Sequence, residues 1–95
     1  MFIVTLAFGR NKAAAPQHMA GHNAWLAKGF EDGIFVLSGS LAPQRGGVVL
    51  ATGLTRDTLE QRVAEDPFVA EGVVEAQIAE IAPGRTDPRL AFLAA

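Results

Sequence analysis

Apolar residues along the chain fall into four short runs and two longer stretches with helical spacing, and their order predicts the fold. Phe2 to Phe8 is rich in β-branched and aromatic residues and is closed by Gly9, as expected of a strand. Phe2, Val4, Leu6 and Phe8 share one face of it, and Ile3, Thr5 and Ala7 share the other, so both faces suit burial. After a loop from Arg10 to Ala15, Pro16 suits the first turn of a helix that runs to about Asp32 and is stopped by Gly33. Met19, His22, Leu26, Gly29 and Phe30 recur at steps of three and four and form its inward stripe. Ile34–Ser38 and Val48–Thr52 read as two strands paired antiparallel. The Gly39–Gly47 loop between them carries Pro43 and the Gly46-Gly47 pair as turn signals. Thr55 suits the cap of a second helix, with Leu54 and Leu59 spaced as a hydrophobic staple. Leu59 and Val63 continue its buried stripe to an end near Asp66. Val69–Gly72 reads as an irregular link, and Val73–Ile81 as the last strand. Val74, Ala76 and Ile78 line one face of that strand, while Glu75 and Gln77 wet the other.

This order, β-α-β-β-α-β, predicts an α+β, ferredoxin-like fold with two helices on one face of a four-stranded antiparallel sheet. The first three strands are apolar on both faces, so the uncovered face is expected to meet a second copy. The expected assembly is a homodimer through the open sheet face, a dimeric α+β barrel. Residues 1–82 are expected to form the domain. The tail 83–95, with Leu90, Phe92 and Leu93, is expected to pack on the domain or on its partner.

Composition sharpens the assembly argument. In 95 residues, 49% are hydrophobic and mean hydropathy is positive, a surplus that a partner surface would cover. A formal net charge of −2 offers no broad attraction to nucleic acid or to an anionic membrane, and neither is an expected partner. The absence of cysteine excludes disulfides, thiolate nucleophiles and cysteine-ligated metals. The first residues read as a strand rather than a signal peptide, and no apolar run approaches transmembrane length, so a cytoplasmic location is expected.

Two residues carry the candidate chemistry. Asp66 precedes Pro67, which turns it out of the helix and places its carboxylate at a corner. His22 lies in the inward stripe of the first helix. If the two meet, the carboxylate orients the imidazole, whose free nitrogen can take a proton near neutral pH. The plainer reading is a buried histidine bonded to a backbone carbonyl and an aspartate that only caps its turn. His18 and His22 share a helix face, but no acidic residue stands at adjoining steps, so neither a metal nor a cofactor is expected. Ser38 and Ser40 read as hydrogen-bond donors to a ligand or to the turn. Phe68 reads as a core or cleft wall, Trp25 as a wall of the pocket or of the dimer seam, and Arg45 as an electrostatic anchor. Gly46-Gly47 does not lead into a helix and is a turn rather than a phosphate cradle.

Three stretches resemble the YciI-like (YCII-related) family of small dimeric α+β barrel proteins, over residues 2–82. They are His22-Asn23-Ala24-Trp25-Leu26, Leu37-Ser38-Gly39-Ser40-Leu41 followed by Gly46-Gly47, and Asp66-Pro67-Phe68 with Gly72-Val73. The resemblance implies a cleft in which His22 and Asp66 pair as a catalytic dyad, with Trp25, Ser38, Ser40 and Phe68 as substrate-binding residues. The family includes a dehydrochlorinase acting on a chlorinated hydroquinone, which implies cofactor-independent, lyase- or elimination-type acid/base chemistry on a small, aromatic-sized substrate. Two positions depart from the family pattern. Met19 stands where a basic residue is frequent, which weakens the case for an anchor for an anionic substrate, and Ser40 stands where proline is frequent, which adds a hydroxyl. The alternative function is a non-catalytic ligand-binding or assembly module on the same fold.

Overall fold

Strands that are apolar on both faces take the inside of the sheet. In the computed structural model, which describes residues 1–94, β1 (Phe2–Phe8) lies between β3 (Gly46–Ala51) and β4 (Val74–Glu80), with β2 (Phe35–Leu41) beyond β3. All three pairings are antiparallel. Burial alternates along β1: Phe2, Val4 and Leu6 are buried, Ile3 and Thr5 half-buried, Ala7 exposed. The buried set packs with Trp25 of α1 (Ala15–Glu31), with Leu59 and Val63 of α2 (Arg56–Ala64), and with Phe68 of α3 (Pro67–Ala70). The helices therefore share one face, and the β-α-β-β-α-β ferredoxin-like order stands.

Elements set by strong local signals fall where expected. Thr55 caps α2, its side chain accepting from the Thr58 N–H at 3.2 Å. The hairpin differs from its expectation. The anticipated Gly39–Gly47 loop shrinks to Ala42–Arg45, because Gly39 pairs with Val48 and Ser40 with Gly47. Gly46 has φ +126 and sits so close to β1 that a Cβ there would collide with the Leu6 carbonyl oxygen, so it serves as a strand residue that only glycine can fill. The expected irregular link is also replaced. Pro67 at its first turn and Asp66 at its cap make α3 a single helical turn. On α1 the buried line runs through Trp25 and Gly29, while Met19 and Phe30 are 44% and 42% exposed. The inward face is thus rotated from the Met19–Phe30 line, and Phe30 packs edge-on against Phe35.

One irregularity in β2 decides which side chains meet the helices. Phe35 pairs with Ala51, but Leu37 pairs with Leu50 and Ser38 with Val49, so the register shifts between Phe35 and Leu37. An extra residue in one strand exchanges its faces from that point on. Phe35 packs in the core with Ala51, and Leu37 turns outward, 48% exposed. Ser38 and Ser40 consequently fall on the helix side, beside Val49 and Gly47.

The opposite sheet face is turned away from α1, α2 and α3. Leu37, Leu50, Ile3 and Ala79 form a row across it through the strand pairings, and Val48 and Thr5 lie in the next row. The tail forms 3₁₀ turns over Pro88–Ala94 with a kink at Leu90. Of its three large residues only Leu93 is buried; Leu90 and Phe92 stay 46% and 51% exposed.

Charged groups fasten the two long helices. The Asp32 carboxylate accepts from Lys28 Nζ and from Arg62 Nη2, each at 2.8 Å. These hydrogen bonds, first from Lys28 and then from Arg62, hold the Asp32 carboxyl below its ordinary range. A depressed folded-state pKa adds stability that is present above the unfolded-state value and lost as pH falls through the folded one. Thermal melts across the acidic range should therefore show Asp32→Asn lacking this part of the parent's pH dependence. Identical slopes would remove the network from the stability argument.

Candidate active site

Asp66 and His22 reach the same place by different local routes. Pro67 holds Asp66 out of the helical region, at φ −63 and ψ 122, so its side chain folds back over the start of α3. Oδ1 of Asp66 accepts the Phe68 N–H at 3.0 Å and lies 2.9 Å from Nδ1 of His22. Asp66 is fully buried, and Oδ2 has no hydrogen-bond partner among the described residues. The His22 side chain is 13% exposed. Its ring lies flat on Phe68, with centroids 4.1 Å apart and planes 5° from parallel, and is flanked by Trp25 at 5.9 Å. Trp25 is itself fixed, its Nε1–H donating to the Arg62 carbonyl at 2.8 Å.

The approach of α1 to α3 depends on Gly21, where a Cβ would come within 3.0 Å of the Pro67 ring. Gly21→Ala should test the spacing. Alanine favours the helix by about 1 kcal/mol, yet crowds Pro67 and so the corner that carries Asp66. The expected result is near-unchanged melting temperature with a longer His22–Asp66 contact. A crystal structure of the variant with that contact unmoved would refute the spacing role.

Ionised aspartate only accepts hydrogen bonds, so the group it meets in this contact is the Nδ1–H of His22. That tautomer leaves Nε2 as a lone-pair acceptor, with no protein partner among the described residues. His22 lines a cavity of about 300 Å³ between α1 and the β2–β3 half of the sheet. Its walls include Leu6, Phe8, Leu26, Val49 and Phe68.

Ser38 and Ser40 also line this cavity, as does Phe68, while Asp66 stands behind His22 rather than on the wall. Trp25, expected as a ligand contact, is a core residue and does not line it; its indole is spent on Phe35, 5.0 Å away, and on Arg62. Arg45 and His18 do not line it either. Asn23 does, and was not singled out from the sequence; its only signal is its place beside His22. Among the described residues no group of three or more potential ligands could hold a metal ion, and no helix is long and apolar enough to cross a membrane.

The YCII-related domain family matches residues 1–81. The chain belongs to this family. The YCII-related fold also appears in a solved structure, the 5-chloro-2-hydroxyhydroquinone dehydrochlorinase from Burkholderia phenoliruptrix AC1100 in complex with 2,5-dihydroxybenzoquinone. That structure superposes with a TM-score of 0.70, covering 88% of this chain and 96% of that one, at 16% sequence identity. At that identity the likeness shows the fold alone. No curated protein matches this YCII-related chain.

Proposed function

We propose that this YCII-related protein is a cofactor-independent lyase acting by general acid/base catalysis on a small molecule, with His22 and Asp66 as its catalytic dyad. The observation that carries this reading is the 2.9 Å contact between His22 Nδ1 and a fully buried carboxylate, on a histidine that lines a cavity. Asp66 fixes the tautomer and balances the imidazolium that forms. Nε2 takes a proton from a C–H or O–H of the substrate. The electron pair left behind forms a new π bond, and the leaving group departs on the far side with its own pair. The proton on Nε2 then passes to the leaving group or to solvent, which restores the base. The dehydrochlorinase with the same fold favours elimination as the reaction type and an aromatic-sized substrate. In this reading Ser38, Ser40 and Phe68 are substrate contacts.

The same reading makes the working unit a homodimer closed over the open sheet face. Residues 1–82 form each barrel half, and Leu90 and Phe92 of the tail are free to contact the partner.

A panel of small phenols and haloaromatics, assayed for product and for halide release, tests the catalytic reading. Some member should turn over, and His22→Gln should lower that rate by about 10²–10⁴-fold, the usual worth of a positioned base. Turnover indifferent to His22→Gln would sink the dyad. Binding without turnover would support the ligand-binding module instead.

A further inference from the structure

The walls of the His22 cavity divide by chemistry. Among the described residues no Asp, Glu, Lys or Arg lines it, in a chain that is 19% charged. Its polar groups are His22 and Asn23 on α1 and Ser38 and Ser40 on β2. The two serines stand two residues apart on the same strand face, about 7 Å along it, where the β2 bulge has turned them. The side-chain hydroxyls engaged in hydrogen bonds among the described residues are those of Thr5, Thr55 and Thr58, so both serine hydroxyls remain available.

We infer that the cavity takes an uncharged ligand bearing a hydroxyl or carbonyl oxygen, that this oxygen is held on the Ser38–Ser40 wall, and that Ser40 is a specificity-determining residue. Removing an unpaired carboxylate or ammonium from water into apolar walls costs several kcal/mol unless a counter-charge meets it. The wall supplies none, and a protonated His22 is already matched by Asp66. Lys12 lines an adjoining groove that shares Phe8, Ser40 and Gly46 with the cavity, its Nζ 4.6 Å from the Phe8 centroid. An anionic substituent is thus matched only outside the cavity. An oxygen on the ligand loses water hydrogen bonds on entry and recovers them from hydroxyls that can donate or accept.

The choice of substrate class rests on the acid/base reading only for its consequence in turnover. If His22 removes a proton, charge developing on the ligand oxygen meets donors on the opposite wall.

Binding alone provides the test. The parent protein, Ser40→Ala, Lys12→Gln and His22→Gln are titrated by NMR with three similar rings: hydroquinone, p-xylene and 4-hydroxybenzoate. Hydroquinone should shift the signals of residues 22 and 68, and 4-hydroxybenzoate should bind at least tenfold more weakly. Ser40→Ala should weaken hydroquinone by roughly 2- to 13-fold, the worth of one neutral hydrogen bond, while leaving p-xylene unchanged. His22→Gln should keep the preference for the uncharged ring even if it abolishes turnover, which separates this inference from the dyad. Three results overturn it: no binding of hydroquinone, an equal loss of both rings on Ser40→Ala, or tight 4-hydroxybenzoate binding that Lys12→Gln removes.

Discussion

Replacing Asp66 with asparagine should reduce base-dependent turnover by about 10²–10⁴-fold while leaving the protein folded. The substitution keeps the shape of a fully buried side chain and keeps an oxygen for the Phe68 N–H, now 3.0 Å from Oδ1. The same Oδ1 that accepts the Phe68 N–H also faces His22 Nδ1 at 2.9 Å, so the amide oxygen still accepts from Nδ1–H and the tautomer is kept. What is lost is the negative charge that stabilises the imidazolium formed when Nε2 takes a proton. The amide nitrogen takes the place of Oδ2, which has no partner among the described residues, so the variant buries an unpaired donor and loses some stability. Nitrogen NMR should show protonated Nδ1 in parent and variant alike, which separates the loss of charge from a change of tautomer. A variant with the parent's rate would end the case for Asp66 as the group that balances the imidazolium.

The second large effect is expected at the other side of the sheet. Leu50→Arg should convert a homodimer into a monomer at concentrations where the parent is fully paired. Leu50 lies between Leu37 and Ile3 in the row that crosses the open face, and points away from the helices, so the change leaves the subunit core intact. A two-fold interface uses each residue twice. Burying one leucine is worth about 1.5–3 kcal/mol, so losing both copies weakens association by roughly 10²–10⁴-fold. A specific interface of ordinary size covers about 1,600 Å² in total, which a four-stranded sheet face can supply. Sedimentation should show the shift in mass with an unchanged circular dichroism spectrum. A parent that sediments as a monomer at micromolar concentration would refute the dimer itself.

Local rules in the sequence determined much of this protein. β1 could be placed from alternation and Gly9, α2 from Thr55 and the Leu54–Leu59 spacing, and the fold from the order of elements, because these signals act between residues close in the chain. The corner at Asp66 was legible for the same reason, since Pro67 restricts its neighbour whatever surrounds it. His22 was legible as an inward residue by helical spacing. Other features depend on contacts between distant segments, and only the tertiary structure decided them. Glycines that read as a loop became strand residues, because Gly46 must pass close to the Leu6 carbonyl of another strand. Trp25 read as a wall of the pocket or of the dimer seam, and its place in the core turned on Phe35 and the Arg62 carbonyl, both on other elements. Most consequential is the register shift after Phe35. Nothing in the order Phe35-Val36-Leu37-Ser38 marks which residue is the extra one. Pairing with β3 settles it, turning Leu37 out to the open face and Ser38 and Ser40 in toward His22, because a side chain's face in a sheet is set by its partner across the ladder rather than by its neighbours in sequence.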